Sequence, residues 1–255
     1  MQSDEIPAPL RRLWRLPDPP VRVGRPSNLD VDTVIAAAVR LADEYGLDAV
    51  TLPRVAKEIG VTAMSLYRYV GSKSELLQLM LDAATTPRAP ESEPDGAWRT
   101  GLRDCALALW ELYRSRPWLP RVPIETAPSG PHQLAWLERV LATLSSSGLG
   151  WGEKMIAVML VGAHVRQSVL LTQDLTTGRQ PDEQQSESEY RYALAMRELV
   201  DPQQFPEVSA MFASDVFAES AVPTETTERA DFEAGLELVL DGIAARIAAN
   251  KSRDS

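Results

Sequence analysis

The sequence predicts an all-α fold, in which a small helical domain near the N-terminus is joined to a larger helical body. Apolar residues recur at helical spacing through most of the 255 residues, and no segment shows the strict alternation typical of a strand. Proline-rich, polar stretches interrupt this pattern at the start of the chain and at 85–96. We therefore predict a flexible, arginine-containing extension at 1–27, a first helical domain at 28–88 and a second, larger one at 89–255.

Residues 50–73, VTLPRVAKEIGVTAMSLYRYVGSK, predict two short helices that meet at a glycine turn. The apolar residues of the first helix share one face by their spacing of three and four: Leu52, Val55, Ala56 and Ile59. Gly60 follows, and glycine readily takes the positive φ at which many helices end. The apolar residues of the second helix also share a face: Ala63, Leu66 and Val70.

The opposite face of the second helix carries side chains that can reach another molecule. Met64, Ser65 and Arg68 point away from the apolar face, and Tyr67 and Tyr69 lie on its flanks. Short polar, cationic and aromatic hydroxyl groups of this kind suit the phosphates and base edges of a DNA major groove. The same spacing is found in an ordinary αα-hairpin within a helical core, so the helix pair alone leaves both interpretations open.

The segments on either side of the helix pair favour the first interpretation. An amphipathic helix precedes the pair and ends at Gly46; its apolar stripe is Val34, Ile35, Ala38, Leu41, Ala42 and Tyr45. Ser72 and Glu75 form the S-x-x-E pattern of a capping box, which opens the next helix at 75–84. With its segments LADEYGLDAVTL, VAKEIGV and MSLYRYVGSKSELL, the chain resembles the N-terminal domain of a TetR-family transcriptional regulator over about residues 28–84.

The resemblance implies a three-helix DNA-binding domain with a helix-turn-helix, joined to a ligand-binding and dimerisation domain. It implies a homodimer on a palindromic operator in double-stranded DNA, acting as a repressor that a small apolar or aromatic ligand releases; the alternatives are a regulator without a ligand and an activator. The DNA-binding residues that it implies are Thr51, Arg54, Thr62, Ala63, Met64, Ser65, Tyr67, Arg68, Tyr69 and Lys73. Pro53 departs from the family pattern, because many members carry a long polar or basic side chain there and proline offers no donor.

The net charge of −10 is unevenly distributed along the chain. Residues 1–74 carry 10 basic and 9 acidic side chains, whereas residues 75–255 carry 16 and 27. The acidic part would repel DNA phosphates and orient the N-terminal part toward them. Because the N-terminal part is nearly neutral, binding would depend on the placement of Arg54, Arg68 and Lys73 and on dimerisation. An ordinary solvated acidic surface explains the C-terminal charge equally well.

Residues 1–27 are rich in proline and carry five arginines, so we expect an extended or disordered segment. Arg22 and Arg25 directly precede the first domain and would suit an arm that reaches into the minor groove. The alternatives are a tail without a role, and a segment in which Trp14 packs back on the body.

Further helices are predicted in the body at about 97–115, 130–147, 152–175, 183–199, 205–219 and 228–249. The last one carries a continuous apolar stripe, which together with the resemblance predicts a dimer interface at Phe232, Leu236, Val239, Leu240, Ile243 and Ile247. The helix at 152–175 is apolar almost all round, which predicts contacts on more than one side. Packing of both helices within one chain is the alternative.

The resemblance implies a ligand site in the body, where aromatic, thioether and polar side chains suit the walls and orienting groups of a pocket. The candidates are Trp110, Tyr113, Trp136, Met155, Met159, His164 and Gln167. The alternative is that they are core residues, as Trp and Met at helical spacing usually are. His132 and His164 are far apart in sequence, so no metal site, metal-chelated ligand or cofactor is expected.

Other classes of protein find little support in the sequence. The segment GLGWGEK at 148–154 lacks the spacing of a phosphate-binding loop and follows a predicted helix, so an all-helical enzyme is a remote alternative. The single cysteine, Cys105, excludes an internal disulfide and gives no sign of an oxidising compartment. The longest apolar run, 155–163, falls short of the roughly 18 residues of a membrane span, and the first residues lack the apolar region of a secretory signal, so we expect a cytoplasmic protein without membrane contact.

Overall fold

The computed structural model describes residues 6–17, 30–86, 98–177, 185–214, 216 and 225–253. Within these ranges the regular structure is helical and no strand occurs, as the sequence predicts. The helices are α1 (Ala8–Leu13), α2 (Val31–Tyr45), α3 (Leu52–Glu58), α4 (Ala63–Leu66), α5 (Lys73–Ala84), α6 (Trp98–Ser115), α7 (Pro131–Thr143), α8 (Trp151–Thr177), α9 (Gln185–Leu199), α10 (Pro206–Ala213) and α11 (Glu225–Arg253). Single 3₁₀ turns lie at Leu47–Ala49 and Leu119–Arg121.

Two helices are shorter than the sequence predicts. α4 ends at Leu66, and the chain then continues as a tighter turn in which the N–H of Tyr69 donates to the carbonyl oxygen of Leu66 at 2.8 Å. α10 ends at Ala213, because Ser214 takes an extended backbone conformation. The remaining helices begin and end within a few residues of their predicted bounds.

The expectation of an extended or disordered segment is wrong for residues 8–13, which form α1. Pro9 lies in the first turn, where proline fits the helical φ and no amide donor is needed. Leu10 and Leu13, three residues apart, pack on the core of the first domain. Trp14 then donates its Nε1–H to the carbonyl oxygen of Ser129 at 2.8 Å, so it does contact the body. The expected minor-groove arm at Arg22 and Arg25 lies outside the described residues.

The helices α2 to α5 enclose one hydrophobic core. Each contributes fully buried side chains, among them Val34, Val55, Leu66 and Met80. At the start of α2, the Asp30 carboxylate accepts the N–H of Thr33 at 2.7 Å, and this hydrogen bond lowers the pKa of Asp30. Trp118, Leu119 and Val122, at the 3₁₀ turn that follows α6, belong to the same core. The first domain therefore shares its core with part of the body.

The chain divides into two compact units, residues 1–166 with 242–255, and residues 167–241. In the second unit, Tyr192 on α9 and Phe212 on α10 meet edge to face, with ring centroids 5.5 Å apart. Arg197 donates to the carbonyl oxygens of Phe212 and Ser214, which closes the end of α10. The predicted domain boundary at 88–89 lies outside the described residues and stays a prediction.

The buried carboxylate of Asp82, near the end of α5, caps the start of α7. Its Oδ1 accepts the backbone N–H groups of His132 and Gln133, each at 3.0 Å. Amides in the first turn of a helix have no acceptor within it, and the helix dipole also favours an anion there. Gly130 makes this approach possible, since a Cβ at that position would overlap the carboxylate. The first domain and α7 are thus joined by this side-chain cap.

The 3₁₀ turn at Leu119–Arg121 provides a second polar connection. Trp118 donates its Nε1–H to Asp43 Oδ1 on α2 at 2.6 Å, and the Nε of Arg116 lies 3.5 Å from the same oxygen. On the other side, Arg166 on α8 donates to the carbonyl oxygens of Pro120, at 2.7 Å, and Val122, at 3.2 Å. The turn therefore links α8 to α2.

The stripe of α11 that was predicted to form a dimer interface is largely buried within the chain itself. Five of its residues are no more than 6% exposed: Phe232, Leu236, Leu240, Ile243 and Ile247. The sixth, Val239, is half-buried. In the single chain these side chains therefore pack as the alternative interpretation expects, and their part in a dimer interface stays a prediction.

α8 buries one apolar face and exposes another. Ala157, Val161 and Val165 are buried. The exposed face carries Met155, Ile156, Met159 and Leu160, which are between 42% and 66% exposed. α8 thus carries apolar side chains on both faces, and a contact on the exposed face stays a prediction.

As a whole helix, α8 is also long and apolar enough to cross a membrane, with a mean hydropathy of 1.5 over 18 residues. The longest uninterrupted apolar run in the sequence, 155–163, is shorter than this 18-residue window. Length and composition alone are weak evidence for a membrane span, because helices in the cores and interfaces of soluble proteins reach the same values.

We expect Asp82→Ala to lower the free energy of unfolding by about 1–3 kcal/mol, because α7 loses its cap and two partly buried amides lose their acceptor. Asp82→Asn keeps a carbonyl oxygen at the same position and should lose less. Urea unfolding of the two variants and the wild type measures the difference. A loss below about 0.5 kcal/mol for Asp82→Ala, the range of ordinary surface substitutions, would contradict the cap.

Candidate nucleic-acid interface

α3 is capped at its start and presents a cation at the surface. Thr51 accepts the backbone N–H of Arg54 through its Oγ1 at 3.3 Å, and Pro53 lies in the first turn, where proline is tolerated. The Arg54 guanidinium lies over the Tyr45 ring, 4.3 Å from its centroid, and both side chains are exposed. This cation–π contact favours one orientation of the Arg54 side chain before any partner binds. A hydrogen bond to Glu44 raises the pKa of Tyr45, so the phenol stays protonated.

Gly60 closes the turn between α3 and α4 with a left-handed backbone, φ +70°. The N–H of Val61 donates to the carbonyl oxygen of Ala56 at 2.9 Å, and the N–H of Gly60 to that of Lys57 at 3.2 Å. This pair of bonds is the Schellman pattern, which satisfies the last carbonyls of α3. A residue with a Cβ would be strained at this φ, so glycine fixes the geometry between the two helices.

α4 buries one face and exposes the other. Leu66 and Val70 are fully buried, whereas Met64 is 77% and Tyr67 52% exposed. Arg68 and Thr62 are exposed as well, and the remaining predicted groove residues are half-buried: Ala63, Ser65 and Tyr69. The outward side chains are those that the helical spacing predicts, and their contact with DNA stays a prediction.

The turn from α4 into α5 carries the last of the predicted DNA-binding residues, Lys73, which is exposed at the first position of α5. Ser72 caps the helix as predicted, its Oγ accepting the N–H of Glu75 at 3.1 Å. Glu75 does not complete the capping box with Ser72; its Oε2 accepts the N–H of Gly71 at 3.0 Å and its carboxylate also pairs with Arg12.

The aromatic candidates for a ligand site lie inside the body. Trp110 on α6 is buried, and the Arg114 guanidinium lies 4.6 Å from its ring centroid. Tyr113 on the same helix is half-buried, and burial raises its pKa. Trp136 on α7 is half-buried and donates its Nε1–H to the carbonyl oxygen of Thr85 at 2.7 Å.

The candidates on α8 have other surroundings. Met155 and Met159 belong to its exposed apolar face, 42% and 66% exposed. Gln167 is exposed too, and His164 is half-buried. The methionines thus face solvent in the single chain while the tryptophans do not, and ligand binding by either set stays a prediction.

Three residues that join distant parts of the chain by hydrogen bonds were not singled out from the sequence: Arg12, Asp82 and Trp118. Asp82 could have been recognised, because it follows Leu79 by three residues and therefore lies on the apolar side of α5. Arg12 could not have been recognised in this way, because its partner Glu75 is 63 residues away in the sequence. Long-range pairs of this kind are not encoded in local spacing.

Thr62→Ala should destabilise the fold by ~0.5–2 kcal/mol, because the Thr62 hydroxyl caps α4. Its Oγ1 accepts the N–H of Ser65 at 3.3 Å and shares a hydrogen bond with the Ser65 hydroxyl at 2.9 Å. Thr62→Ser keeps the hydroxyl and is the control. Thermal unfolding measures both, and equal destabilisation by the two substitutions would refute the cap.

Two family models match the chain. Residues 34–80, which include α3 and α4, match the bacterial regulatory proteins of the tetR family, and residues 89–247 match the tetracyclin repressor-like C-terminal domain. The HTH-type transcriptional repressor DrrR1 of Streptomyces coeruleorubidus is 33% identical over 99% of this chain and 91% of its own length. The tetracycline repressor protein class A from transposon 1721 of Escherichia coli is 26% identical over 86% of this chain and 93% of its own.

Solved structures show the same fold. Apo ActR from Streptomyces coelicolor superposes with a TM-score of 0.69 at 23% identity, covering 87% of this chain and 99% of ActR. ActR in complex with actinorhodin superposes with a TM-score of 0.68 at 25% identity, covering 86% of this chain and 97% of ActR. The model match to the C-terminal domain spans more than half of the chain, and the 33% identity with a repressor extends over nearly all of it. The chain belongs to the tetR family of bacterial transcriptional regulators, with a helix-turn-helix domain formed around α3 and α4.

Proposed function

We propose that the protein is a homodimeric repressor that binds a palindromic operator and is released from it by a small molecule. α4 and the turn that follows it carry the proposal, because Leu66 and Val70 are buried while Met64 and Arg68 are exposed. A helix held in this way can enter the major groove with its exposed face toward the base edges. Such a protein acts in the cytoplasm, where bacterial DNA lies, and has no catalytic role.

The exposed groups divide into base-reading and phosphate-binding sets. Arg68 suits a bidentate contact to guanine, and Met64 an apolar contact to a thymine methyl group. Thr51 and Lys73, on either side of α4, suit phosphates, as do the phenol groups of Tyr67 and Tyr69. Pro53 supplies no donor from α3, so base reading depends on α4, with Arg54 as the cation that α3 contributes.

A second copy of the chain covers the exposed face of α8 in this proposal. Met155, Ile156, Met159 and Leu160 form a contiguous apolar surface, and surfaces of this kind mark interaction sites. Two copies that meet there about a two-fold axis bury the same patch on both sides. A palindromic operator requires two DNA-binding domains related by such an axis, with half-sites ~34–36 Å apart.

The proposed ligand is a small apolar or aromatic molecule bound in the body. ActR has been solved with (S)-DNPA and with actinorhodin, and this chain is similar to ActR over most of its length. Trp110, Tyr113 and Trp136 are the candidates that burial supports best. Met155 and Met159 serve the dimer in the same proposal, because they lie on the exposed face of α8.

Footprinting of genomic DNA with the purified protein tests the central proposal and identifies the operator. We expect a short protected palindrome with each half-site in one major groove. A thermal-shift screen with apolar and aromatic compounds then tests the ligand. Operator binding together with a flat response across the screen would favour a regulator without a ligand, and the absence of any specific footprint would refute the repressor.

Arg68→Ala should weaken operator binding by ~1–3 kcal/mol and relax the preference at one base pair, because a bidentate contact to a base edge is lost. Lys73→Ala should weaken binding to all sequences alike, since a phosphate contact carries no sequence information. Titration of the operator and of a scrambled duplex, with both variants, measures the difference. Equal losses on the two duplexes for Arg68→Ala would sink its assignment.

Ile156→Glu should dissociate the dimer, because it places a charge on the apolar face that the second copy covers. Leu199→Glu is the matched control, since Leu199 is 74% exposed at the end of α9 and lies outside that face. Light scattering after size-exclusion chromatography measures the mass of each variant. A dimeric Ile156→Glu would show that the interface lies elsewhere.

A further inference from the structure

α1 lies on the first domain although the helix-turn-helix family model begins only at residue 34. Leu13 is buried in the core of that domain, and Leu10 packs against it. Arg15 pairs with Asp32 at the start of α2 at 2.6 Å. The helix is therefore part of the folded domain, and polar side chains of α1 and its end reach α2 and α5.

The principal polar contact of α1 is the pair of Arg12 with Glu75. The Nε and Nη2 of Arg12 donate to the two carboxylate oxygens of Glu75, the second at 2.8 Å. The Glu75 side chain is only 9% exposed and that of Arg12 22%. A carboxylate in this environment needs its partner, because removing one member of a buried pair leaves an uncompensated charge. The parallel geometry is specific to arginine, since its planar guanidinium presents two N–H groups to the two carboxylate oxygens, whereas lysine offers a compact charge without that fixed fork.

The same carboxylate holds the turn that follows α4. Glu75 Oε2 accepts the N–H of Gly71 at 3.0 Å. A Cβ at Gly71 would lie 2.8 Å from that oxygen and 3.2 Å from Arg12 Nη2, so the turn, the carboxylate and the guanidinium are in close contact. Gly71 directly follows the buried Val70 and precedes the cap Ser72 and then Lys73. The turn connects the base-reading helix with the proposed phosphate contact.

We propose that Arg12 is a positioning residue for DNA recognition, which acts through Glu75 to fix the Gly71 turn and with it the placement of α4 relative to Lys73. The proposal rests on the repressor function proposed above and adds to it a part of the chain outside the helix-turn-helix match. Arg12 does not touch DNA in this arrangement, because its guanidinium is engaged by the Glu75 carboxylate.

A positioning role for Arg12 predicts different measurements from the two other roles that an arginine near DNA can have. An arginine that binds phosphate contributes to all sequences equally and to the salt dependence of binding. An arginine that only stabilises the fold changes unfolding without changing the preference for the operator. A positioning residue changes the ratio of operator to non-operator affinity and leaves the salt dependence unchanged, because the phosphate contacts remain while the base contacts lose their geometry.

The test compares Arg12→Ala with Arg15→Ala in the full-length dimer. Both substitutions remove one positive charge from α1 or its end, but the Arg15–Asp32 pair is exposed on both sides and such pairs contribute little. Each variant is titrated with the footprinted operator and with a scrambled duplex at several salt concentrations. Hydrogen exchange at the Gly71 amide, measured without DNA, gives a second readout that needs no operator.

For Arg12→Ala we expect operator binding about tenfold weaker, non-operator binding unchanged within about twofold, an unchanged salt slope and faster exchange at Gly71. Arg12→Lys should restore only part of the ratio, and Arg15→Ala should resemble the wild type. With Glu75→Ala as background, Arg12→Ala should have little further effect on the ratio.

Three outcomes overturn the proposal. If Arg12→Ala weakens both duplexes alike and lowers the salt slope by about one, Arg12 binds phosphate directly. If only the melting temperature falls while the ratio stays the same, α1 is structural. If Gly71 exchange is unchanged in a folded Arg12→Ala, the pair does not hold the turn. A wild-type protein that binds no operator would instead refute the repressor, whatever the variants do.

Discussion

The helix α4, which we propose reads the bases, has four residues, and a helix of that length is not stable by itself in water. Its position therefore depends on what surrounds it. Leu66 and Val70 bury its inner face, Thr62 caps its start, and Gly60 sets the turn before it. The core that α2, α3 and α5 form with α4 therefore fixes the position of this short helix. The positions of Met64 on α4 and Arg68 just after it depend on that core.

The first domain is joined to the body by partly buried hydrogen bonds as well as by packing. Asp82 caps α7, and Trp118 donates to Asp43 on α2. Arg166 donates to the same 3₁₀ turn from α8. Hydrogen bonds are directional, and those shielded from water are costly to leave unmade. A change of position in α7 or in the turn must therefore move α5 or α2 or break a bond, which is a physical route from a ligand in the body to the DNA interface.

α8 shows how one helix can serve two purposes. Its buried residues Val161 and Val165 contribute to the body, whereas Ile156 and Met159 remain exposed. An exposed apolar face of this size marks an interaction surface, and in the dimer that we propose a second copy covers it. The apolar stripe of α11 is buried within the chain, so the stripe on one side of α11 and the apolar residues all round α8 lead to different surroundings.

The sequence by itself determined the all-α fold, the bounds of most helices and the outward face of α4, because each of these depends on local periodicity and on capping or turn residues such as Ser72 and Gly60. It also identified the family, through motifs that are local in the chain. Only the tertiary structure decided that residues 8–13 are helical, that Phe232 and Leu236 are buried within the chain, and that Arg12, Asp82 and Trp118 bond to partners far away. Pairs such as Arg12 and Glu75, which are 63 residues apart, are brought together by the packing of whole helices. No spacing along the chain records that packing, which is why the composition of residues 1–27 suggested a disordered tail.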